Sequence, residues 1–595
     1  MPRAALLVSA NFPLLLAGQV SSPAVMHING KAKEKATFDA IVIGSGISGG
    51  WAAKELAEKG LKTLVLERGR PVKHKNDYPT AQYNPWDLQW RGRRSRDLTE
   101  DNPVASRCYA YGEATSHFFV KDADHPYIQE KPFLWIRGYQ EGGKSLLWAR
   151  QVQRWSRYDF EAPLRDGFAV DWPLRYDDLA PWYSHVERFI GVSGNRDGLD
   201  TLPDSVSLPP FEMNCVEKHL QQSIMDHFPD RNVVIGRCAH LTKPQPIHLQ
   251  QGRGQCMSRT LCERGCPFGA YFSSNASTLP WAEHTGNMTL RTNAVVHSII
   301  YDEQANRAAG VRVIDAETRE TTEYYARVIF VNAATLNTNL ILLNSTSQRF
   351  PNGLGNDNGL LGKYVAFHNY RGVISATYDG FHDQYYYGRR PTAVMMPAFR
   401  NVYKQDMPFK RGYMVFFSAS RQGWNRPESR DYLGAELKEK MASPGEWTVY
   451  MMMQGETIPK KENHVRLSPD KKDAFGIPQL ITSVGYDEND ELMLKDFLES
   501  GTEMLEKAGC SNIRAYDNKQ APGLDIHEMG GVRMGRDPKT SLLNQWNQMH
   551  ACRNVFVTDG ACMTSTGTQN PSLTFMALTA RAANYAAEQL KRGAL

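Results

Sequence analysis

The run Gly44-Ser45-Gly46-Ile47-Ser48-Gly49 follows directly on the apolar, β-branched segment Phe38–Ile43, and this junction constrains the fold more than any other feature. Trp51–Glu58 then reads as a helix and Thr63–Leu66 as a second strand, which ends in Glu67. Strand, glycine turn, helix, strand and acid form the order of a dinucleotide-binding unit. Gly44 permits the tight turn, Gly46 lets backbone approach a pyrophosphate, and Gly49 lets the helix pack on the strand. The helix start offers N–H groups and a positive dipole end to phosphate. Glu67, with Arg68 behind it, lies 23 residues beyond Gly44, where a ribose-binding acid belongs. A chance glycine turn is the bland alternative, and the flanking strands argue against it.

The other bounds are broad. The chain has 595 residues, 41% of them hydrophobic and 22% charged, which excludes disordered, collagen-like and coiled-coil classes. No stretch of roughly 20 apolar residues is present, so no membrane-spanning helix is expected. The net charge of +5 is spread without a long basic run, which argues against nucleic-acid binding. Near the start, Ala4–Gly18 behind Arg3 reads as a weak signal-peptide core interrupted by Asn11 and Pro13. A loose extension ahead of Met26 is the alternative.

Further segments carry chemistry. A second glycine turn, Gly142-Gly143-Lys144-Ser145, precedes Leu146-Leu147-Trp148-Ala149. Near the end, Asn554–Asp559 reads as a strand ending in Asp559-Gly560. Three distant segments feeding one site suit a long cofactor. Cys256, Cys262 and Cys266 form C-x(5)-C-x(3)-C before Pro267 on a glycine-rich loop. Three thiolates fit a three-iron cluster. Structural zinc wants a fourth ligand, and no further Cys or His is near in sequence. Zinc and free or disulfide-bonded cysteines stay open as alternatives. Between residues 364 and 486, Val373–Tyr378, Gly412–Ser418, Trp447–Gln454, His464–Leu467 and Gln479–Tyr486 read as strands of an antiparallel sheet walling a substrate cavity. Asp487–Gly509 and Ser572–Arg592 read as helices. His368 and Gln454, and the aromatic Tyr385, Tyr386, Tyr387 and Trp424, are candidates to meet a sugar, with ordinary packing as the alternative.

From Phe38 to the C-terminus the chain resembles the glucose–methanol–choline (GMC) oxidoreductases. The resemblance rests on Gly44–Gly49, the Gly142-Gly143-x-Ser145 loop, Asp171-Trp172-Pro173, Val328–Val331 before Asn332-Ala333-Ala334, and the tail from His527-Glu528-Met529-Gly530-Gly531 to Asn570-Pro571. Within that family it looks most like bacterial sugar dehydrogenases of the glucoside 3-dehydrogenase type, which work with a small partner subunit. The resemblance implies an α/β fold: a Rossmann-like FAD-binding domain with an antiparallel-sheet substrate domain. The expected layout is an N-terminal extension over 1–35 and the FAD domain over 36–346, with the cysteine loop near 250–270. The substrate domain follows over 347–520, and 521–595 return to the FAD domain.

The cofactor implied is non-covalent FAD. Its contacts would be Gly44, Ser45, Gly46, Ile47, Ser48, Gly49, Glu67, Arg68, Gly143, Ser145, Trp148, Ala149, Val296, Asp559, Gly560, Pro571 and Leu573. His527 and Asn570, 43 residues apart, would be the catalytic pair. The imidazole accepts a hydroxyl proton near neutral pH, and the amide steadies the developing alkoxide. Cys256, Cys262 and Cys266 would hold a 3Fe–4S cluster that passes electrons singly to a cytochrome c-type acceptor. The expected activity is dehydrogenation of a sugar or glycoside secondary hydroxyl, best matched by C3 of glucosides, in the periplasm or otherwise the cytoplasm. An oxidase, a dehydrogenase of another polyol or sugar acid (gluconate, fructose or sorbose type), and a non-catalytic FAD-binding subunit are the alternatives. Lys144, Trp148, Ala149 and Asn332 depart from the family pattern and put single flavin contacts in question.

Overall fold

Residues 35–386, 390–422 and 431–595 are described by the structure, a computed structural model. The signal-peptide segment, Tyr387 and Trp424 lie outside them. Strand β1 (Lys35–Ile43), helix α1 (Ile47–Glu58) and strand β2 (Thr63–Leu66) form the expected unit. The helix begins four residues earlier than its composition suggests, because the glycine turn closes directly onto its first turn. β1 pairs in parallel with β2 on one side and with Thr321–Val331 on the other. Thr321–Val331 in turn takes Val555–Val557 as a parallel neighbour, so the tail segment joins the sheet that holds the glycine turn.

Both faces of this sheet are buried, as parallel sheets require. Ile41, Ile43, Leu64 and Leu66 point into one core with Trp155 and Trp172. Ala40, Val42 and Val65 point into another, beneath Ala52, Ala53 and Leu56 of α1 and Ala582, Ala583 and Ala586 of the final helix, Ser572–Lys591. The small alanines let those two helices lie close over the strands.

A second sheet runs Ser511–Asp517, Gly372–Tyr378, Trp447–Glu456, Tyr413–Arg421, Val394–Met396, Val234–Ile235, antiparallel throughout. Helix Glu488–Lys507 covers one face through Met493, Phe497 and Met504. The sequence assigned His464–Leu467 and Gln479–Tyr486 to this same sheet. They instead pair as His464–Lys472 and Pro478–Ser483 in a separate sheet with Lys363–Ala366, Met529–Gly531 and Ile128–Gln129. The cause is packing: Val365, Val465 and Leu480 share a small core with Phe133 and Phe367. This third sheet anchors Met529–Gly531, two residues after His527.

The glycines of the turn differ in what surrounds them. A Cβ on Gly49 would lie 1.9 Å from the Gly44 carbonyl oxygen, whereas one on Gly46 would meet nothing within 4 Å. Gly49→Ala should therefore unfold at markedly lower temperature, on the scale of a 1–3 kcal/mol overpacking penalty of roughly that size. Gly46→Ala should melt like the parent apoprotein in the same thermal scan and lose affinity only for the dinucleotide.

Candidate active site

A cavity of about 1300 Å³ runs from the glycine turn to the tail. Single-ligand pockets span about 300–1,000 Å³, so this volume suits a long dinucleotide together with a second molecule. Its wall includes Gly44, Gly46, Ile47, Ser48, Glu67, Arg68, Gly143, Ser145, Trp148, Ala149, Val296, Asp559, Gly560, Pro571, His527 and Asn570. Three of the expected cofactor contacts lie off the wall. Ser45 sits beneath it, its hydroxyl donating to Glu67 at 2.6 Å and accepting from the Gly142 N–H at 2.9 Å. Gly49 packs on Gly44. Leu573 points into the core from the buried side of its helix, and its neighbours Ser572 and Phe575 face the cavity in its place.

The nucleotide end fits the expected group. Gly46, Ile47 and Ser48 open the N-terminus of α1, which no side chain caps. The space beside Gly46 is free of protein atoms. The Glu67 carboxylate accepts from Ser45 N–H at 3.1 Å, Ser45 hydroxyl and Gly69 N–H at 2.9 Å. A carboxylate offers about four lone-pair directions, which leaves one for a ribose hydroxyl. Burial pushes the Glu67 carboxyl upward, against the hydrogen bonds from Ser45 and Gly69. Beside the same glycine turn the Asn332 Nδ2 is buried without a partner, a donor that a cofactor oxygen would satisfy. Lys144 forms an ion pair with Glu528 at 3.2 Å, and the Trp148 indole donates to the Phe272 carbonyl at 3.0 Å. Asp559 accepts from Thr338 at 2.5 Å and from the Ala561 N–H at 3.0 Å, and burial raises it to about 6.

At the far end the structure joins His527 and Asn570, with Asn570 Nδ2 lying 3.3 Å from His527 Nε2. Behind His527, its Nδ1 is 2.8 Å from Nδ1 of the buried His368. His368 Nε2 lies 2.9 Å from the Gly567 carbonyl and 3.2 Å from that of Thr566. Two carbonyls can only accept, so His368 Nε2 carries a hydrogen. Burial lowers His368 to about 4, so it is neutral and its Nδ1 is an acceptor. His527 therefore donates through Nδ1 and keeps its lone pair on Nε2, facing Asn570 and the cavity. Burial pushes His527 well below the ordinary histidine value, and the Lys144 charge adds to it. It stays an unprotonated base at neutral pH.

Asp525 completes the arrangement. Its carboxylate accepts from the backbone N–H groups of His368 at 2.9 Å, His527 at 3.3 Å and Gly523 at 3.1 Å, and burial raises it to about 7. Ligand atoms of His368, Asp525 and His527 lie within 4.8 Å of one another. The ring nitrogens are already joined to each other and the carboxylate to three N–H groups, so the triad is a hydrogen-bonded unit that steadies positive charge on His527. Sequence reading left His368 between a sugar contact and a structural role and gave Asp525 no role. Gln454 is buried and bonds Tyr370 and the Thr568 carbonyl, away from the cavity. Tyr385 and Tyr386 do line the mouth, with Trp447 and Tyr450 of the antiparallel sheet.

The cysteine loop forms part of the same wall through Cys262 and Glu263. Cys256, Cys262 and Cys266 are all half-buried, unlike the fully buried Cys238. Among the described residues their sulfur atoms do not form a set lying within 4.8 Å of one another. A single tetrahedral zinc with Zn–S near 2.3 Å needs sulfurs about 3.8 Å apart. A multi-iron cluster binds each thiolate to a different iron and spreads them wider. The loop lies on a ribbon in which Gln151 pairs with Cys238 and His240 with Tyr271, and this brings His240 Nε2 to 3.9 Å from Cys262 Sγ. Sequence spacing alone could not show that approach.

Comparison with known proteins agrees with the geometry. The two GMC oxidoreductase domains match residues 38–368 and 459–579. The chain is 27% identical to 2-methyl-1,2-propanediol dehydrogenase of Mycolicibacterium austroafricanum over 92% of this chain and 94% of that one. It is 26% identical to the fructose dehydrogenase large subunit of Gluconobacter japonicus, covering 94% and 100%. It is 27% identical to paromamine 6'-oxidase of Streptomyces fradiae, covering 93% and 92%. The solved pyridoxine 4-oxidase from Mesorbium loti superposes with a TM-score of 0.57 at 16% identity, over 92% of this chain and 99% of that one. The chain belongs to the GMC oxidoreductase family and is an FAD-dependent oxidoreductase acting on CH–OH groups.

His368→Leu removes the acceptor that fixes the His527 tautomer. We expect alcohol-driven bleaching of the flavin to slow about ten- to a hundredfold, the rate equivalent of losing a buried hydrogen bond of roughly 1–3 kcal/mol. Nitrogen-15 spectra of histidine-labelled apoprotein should show the Nδ1–H form of His527 in the parent and a tautomer mixture in the variant. An unchanged tautomer would refute the assignment.

Proposed function

We propose that this protein is a dehydrogenase of a sugar or glycoside, oxidising a secondary hydroxyl, with C3 of a glucoside as the best candidate. The observation that carries the reading is the shared cavity, with the His527–Asn570 pair at its inner end and Cys262 on its wall. The outer part suits a polyhydroxy ligand. Tyr385, Tyr386 and Trp447 offer aromatic faces, and Asn214, Arg390 and Gln422 offer hydrogen bonds. Glu217 holds Arg390 in place at 2.5 Å. Among the relatives, the fructose dehydrogenase and the gluconate 2-dehydrogenase flavoprotein of Pantoea cypripedii support sugar-type substrates, while the paromamine oxidase keeps an oxidase as the alternative.

The chain's own part is proton handling and placement. His527 Nε2 takes the hydroxyl proton of the substrate. The Asn570 amide, already aimed at that spot, donates to the oxygen as negative charge grows on it. The new positive charge on His527 is steadied by Asp525 and by the Nδ1 bond to His368. FAD, when bound along Gly46, Glu67 and Asn332, supplies the hydride acceptor. Cys256, Cys262 and Cys266 would hold an iron–sulfur cluster that supplies a one-electron exit, the reason to prefer a dehydrogenase over an oxidase. A small partner subunit, a cytochrome c-type acceptor and a periplasmic location complete the proposal. The fructose dehydrogenase relative, itself a large subunit, supports the partner.

A panel of glycosides with a one-electron dye, followed by product identification, tests the reading. We expect 3-keto products and negligible oxygen uptake without dye; brisk oxygen uptake would establish the oxidase. His527→Ala should keep FAD and slow flavin bleaching about 100- to 10,000-fold. Because burial lowers His527, the base itself stays unprotonated as pH falls through about 6.5, so a limb near 7 in stopped-flow data on the parent enzyme reports Asp525, which burial raises to about 7, and Asp525→Asn should abolish it. A limb near about 6.5 that persists in Asp525→Asn would place a different, ordinary histidine in the role.

A further inference from the structure

Four of the buried polar atoms without partners belong to residues around the cysteine loop. Arg150 has a side chain only 5% exposed, and its Nε and Nη1 bond to nothing. Its Nη2 is 3.5 Å from Glu263, and its guanidinium stands 5.0 Å from the Tyr271 ring centroid. Arg253 is 1% exposed and uses Nε on the Gly269 carbonyl and Nη1 on Gln251, leaving Nη2 unpartnered. His240, also 1% exposed, presents Nε2 to Cys262 and leaves Nδ1 unpartnered. Four unpartnered nitrogens thus sit on three residues that contact or flank one loop.

Two buried guanidiniums against the single, partly exposed Glu263 carboxylate leave an excess of positive charge. Such an excess is costly unless an anion completes it. Arg150 also adopts a left-handed backbone with φ 62°, a strained conformation for a bulky residue that the surrounding ribbon must enforce. The enforcing bonds are visible: Ala239 N–H donates to the Arg150 carbonyl at 2.8 Å and Val152 N–H to the Arg237 carbonyl at 3.0 Å. Burial works against the Arg150 charge, and Cys262, then Glu263, are the neighbours that favour it. Arg150 lines the cavity, as do its neighbour Ala149, an expected cofactor contact, and Cys262.

We propose that Arg150, with Arg253 and His240, forms a donor cradle for an anionic, sulfide-bearing centre held by Cys256, Cys262 and Cys266, and that Arg150 sets that centre's reduction potential. This rests on the iron–sulfur reading above. Three ferric ions and four sulfides sum to one positive charge, and three thiolates bring the centre to two negative charges. Zinc on the same thiolates would carry only one and would offer no sulfide acceptors to the free N–H groups. Each reduction adds one electron, breaks no bond and takes the centre from two to three negative charges. Two such events clear the electron pair of one alcohol oxidation, and a one-electron acceptor protein receives them. A fixed cation beside the centre stabilises the more negative, reduced state.

The test is potentiometric titration of purified holoenzyme, followed by electron paramagnetic resonance, with iron and sulfide analysis. In Arg150→Gln the centre's midpoint should fall by ~59 mV or more, a tenfold change in the reduced-to-oxidised ratio for one electron. Arg150→Lys, which keeps the charge, should restore most of the shift. Loss of iron from a folded, flavin-loaded Arg150→Gln protein would also support the cradle. Should Arg150→Gln not fold, Arg150→Lys decides: a midpoint near the parent supports the charge effect, and a fall of the full amount overturns it. Iron in the parent with an unmoved midpoint in Arg150→Gln overturns the role of Arg150 alone. Zinc, or no metal, in anaerobically purified parent enzyme overturns the iron–sulfur reading and this inference together.

Discussion

The contact between the turn at Gly44 and the end of strand Thr321–Val331 governs the rest of the molecule. The Asn332 N–H donates to the Ile43 carbonyl at 2.9 Å, and a Cβ on Gly44 would come within 2.3 Å of the Asn332 carbonyl oxygen. Only a residue without a side chain, at φ 97°, lets the two strand ends close so tightly. That closure fixes where α1 begins and so where its free N–H groups point. The same strand takes Val555–Val557 on its other edge. The helix carrying Asn570 at its start is thereby registered against the nucleotide end of the cavity, although 526 residues separate Gly44 from Asn570 in the chain.

What was legible in the sequence follows from how local the cause is. The dinucleotide unit could be read because strand, glycine turn and helix are contiguous, and each glycine answers a steric demand within that segment. The antiparallel wall was legible from alternation and β-branched content. Its boundary was not. His464–Lys472 alternates as well as its neighbours do, and only the tertiary core of Phe133, Val365 and Leu480 draws it into another sheet. The same limit separates His527 from His368. Glycine context and spacing expose the first, while the second shows its role only as a ring nitrogen 2.8 Å away across 159 residues.

Burial explains why the missed residues are the polar ones. Asp525 and Arg150 are single polar residues with no motif of their own, His368 was legible only as a candidate sugar contact, and each acquires meaning from what surrounds it in space. A buried carboxylate that accepts three backbone N–H groups, or a buried guanidinium with two free donors, departs from the usual state of protein interiors. Such departures concentrate at functional sites. Leu573 illustrates the converse: its position beside Asn570 suggested contact with cofactor, yet helical periodicity turns it inward and presents Phe575 instead.

The two chemical ends of the cavity also carry opposite electrostatic demands. At the inner end the base must be neutral before it acts, and depth inside the protein secures this by disfavouring the imidazolium until a substrate proton arrives. Asp525 and the His368 lone pair then limit the cost of the charge that forms. At the cysteine loop the permanent charge is positive, supplied by guanidiniums that cannot lose it at physiological pH. A neutral base takes up the proton, while a cationic wall would favour electron arrival at the centre proposed for the cysteine loop. Under that proposal the proton and the electrons of one oxidised alcohol are drawn toward different groups, His527 and the cysteine loop, across a single cavity. Placing the cationic wall beside His527 instead would depress the base further and oppose proton transfer, so their separation within the cavity is itself an electrostatic requirement.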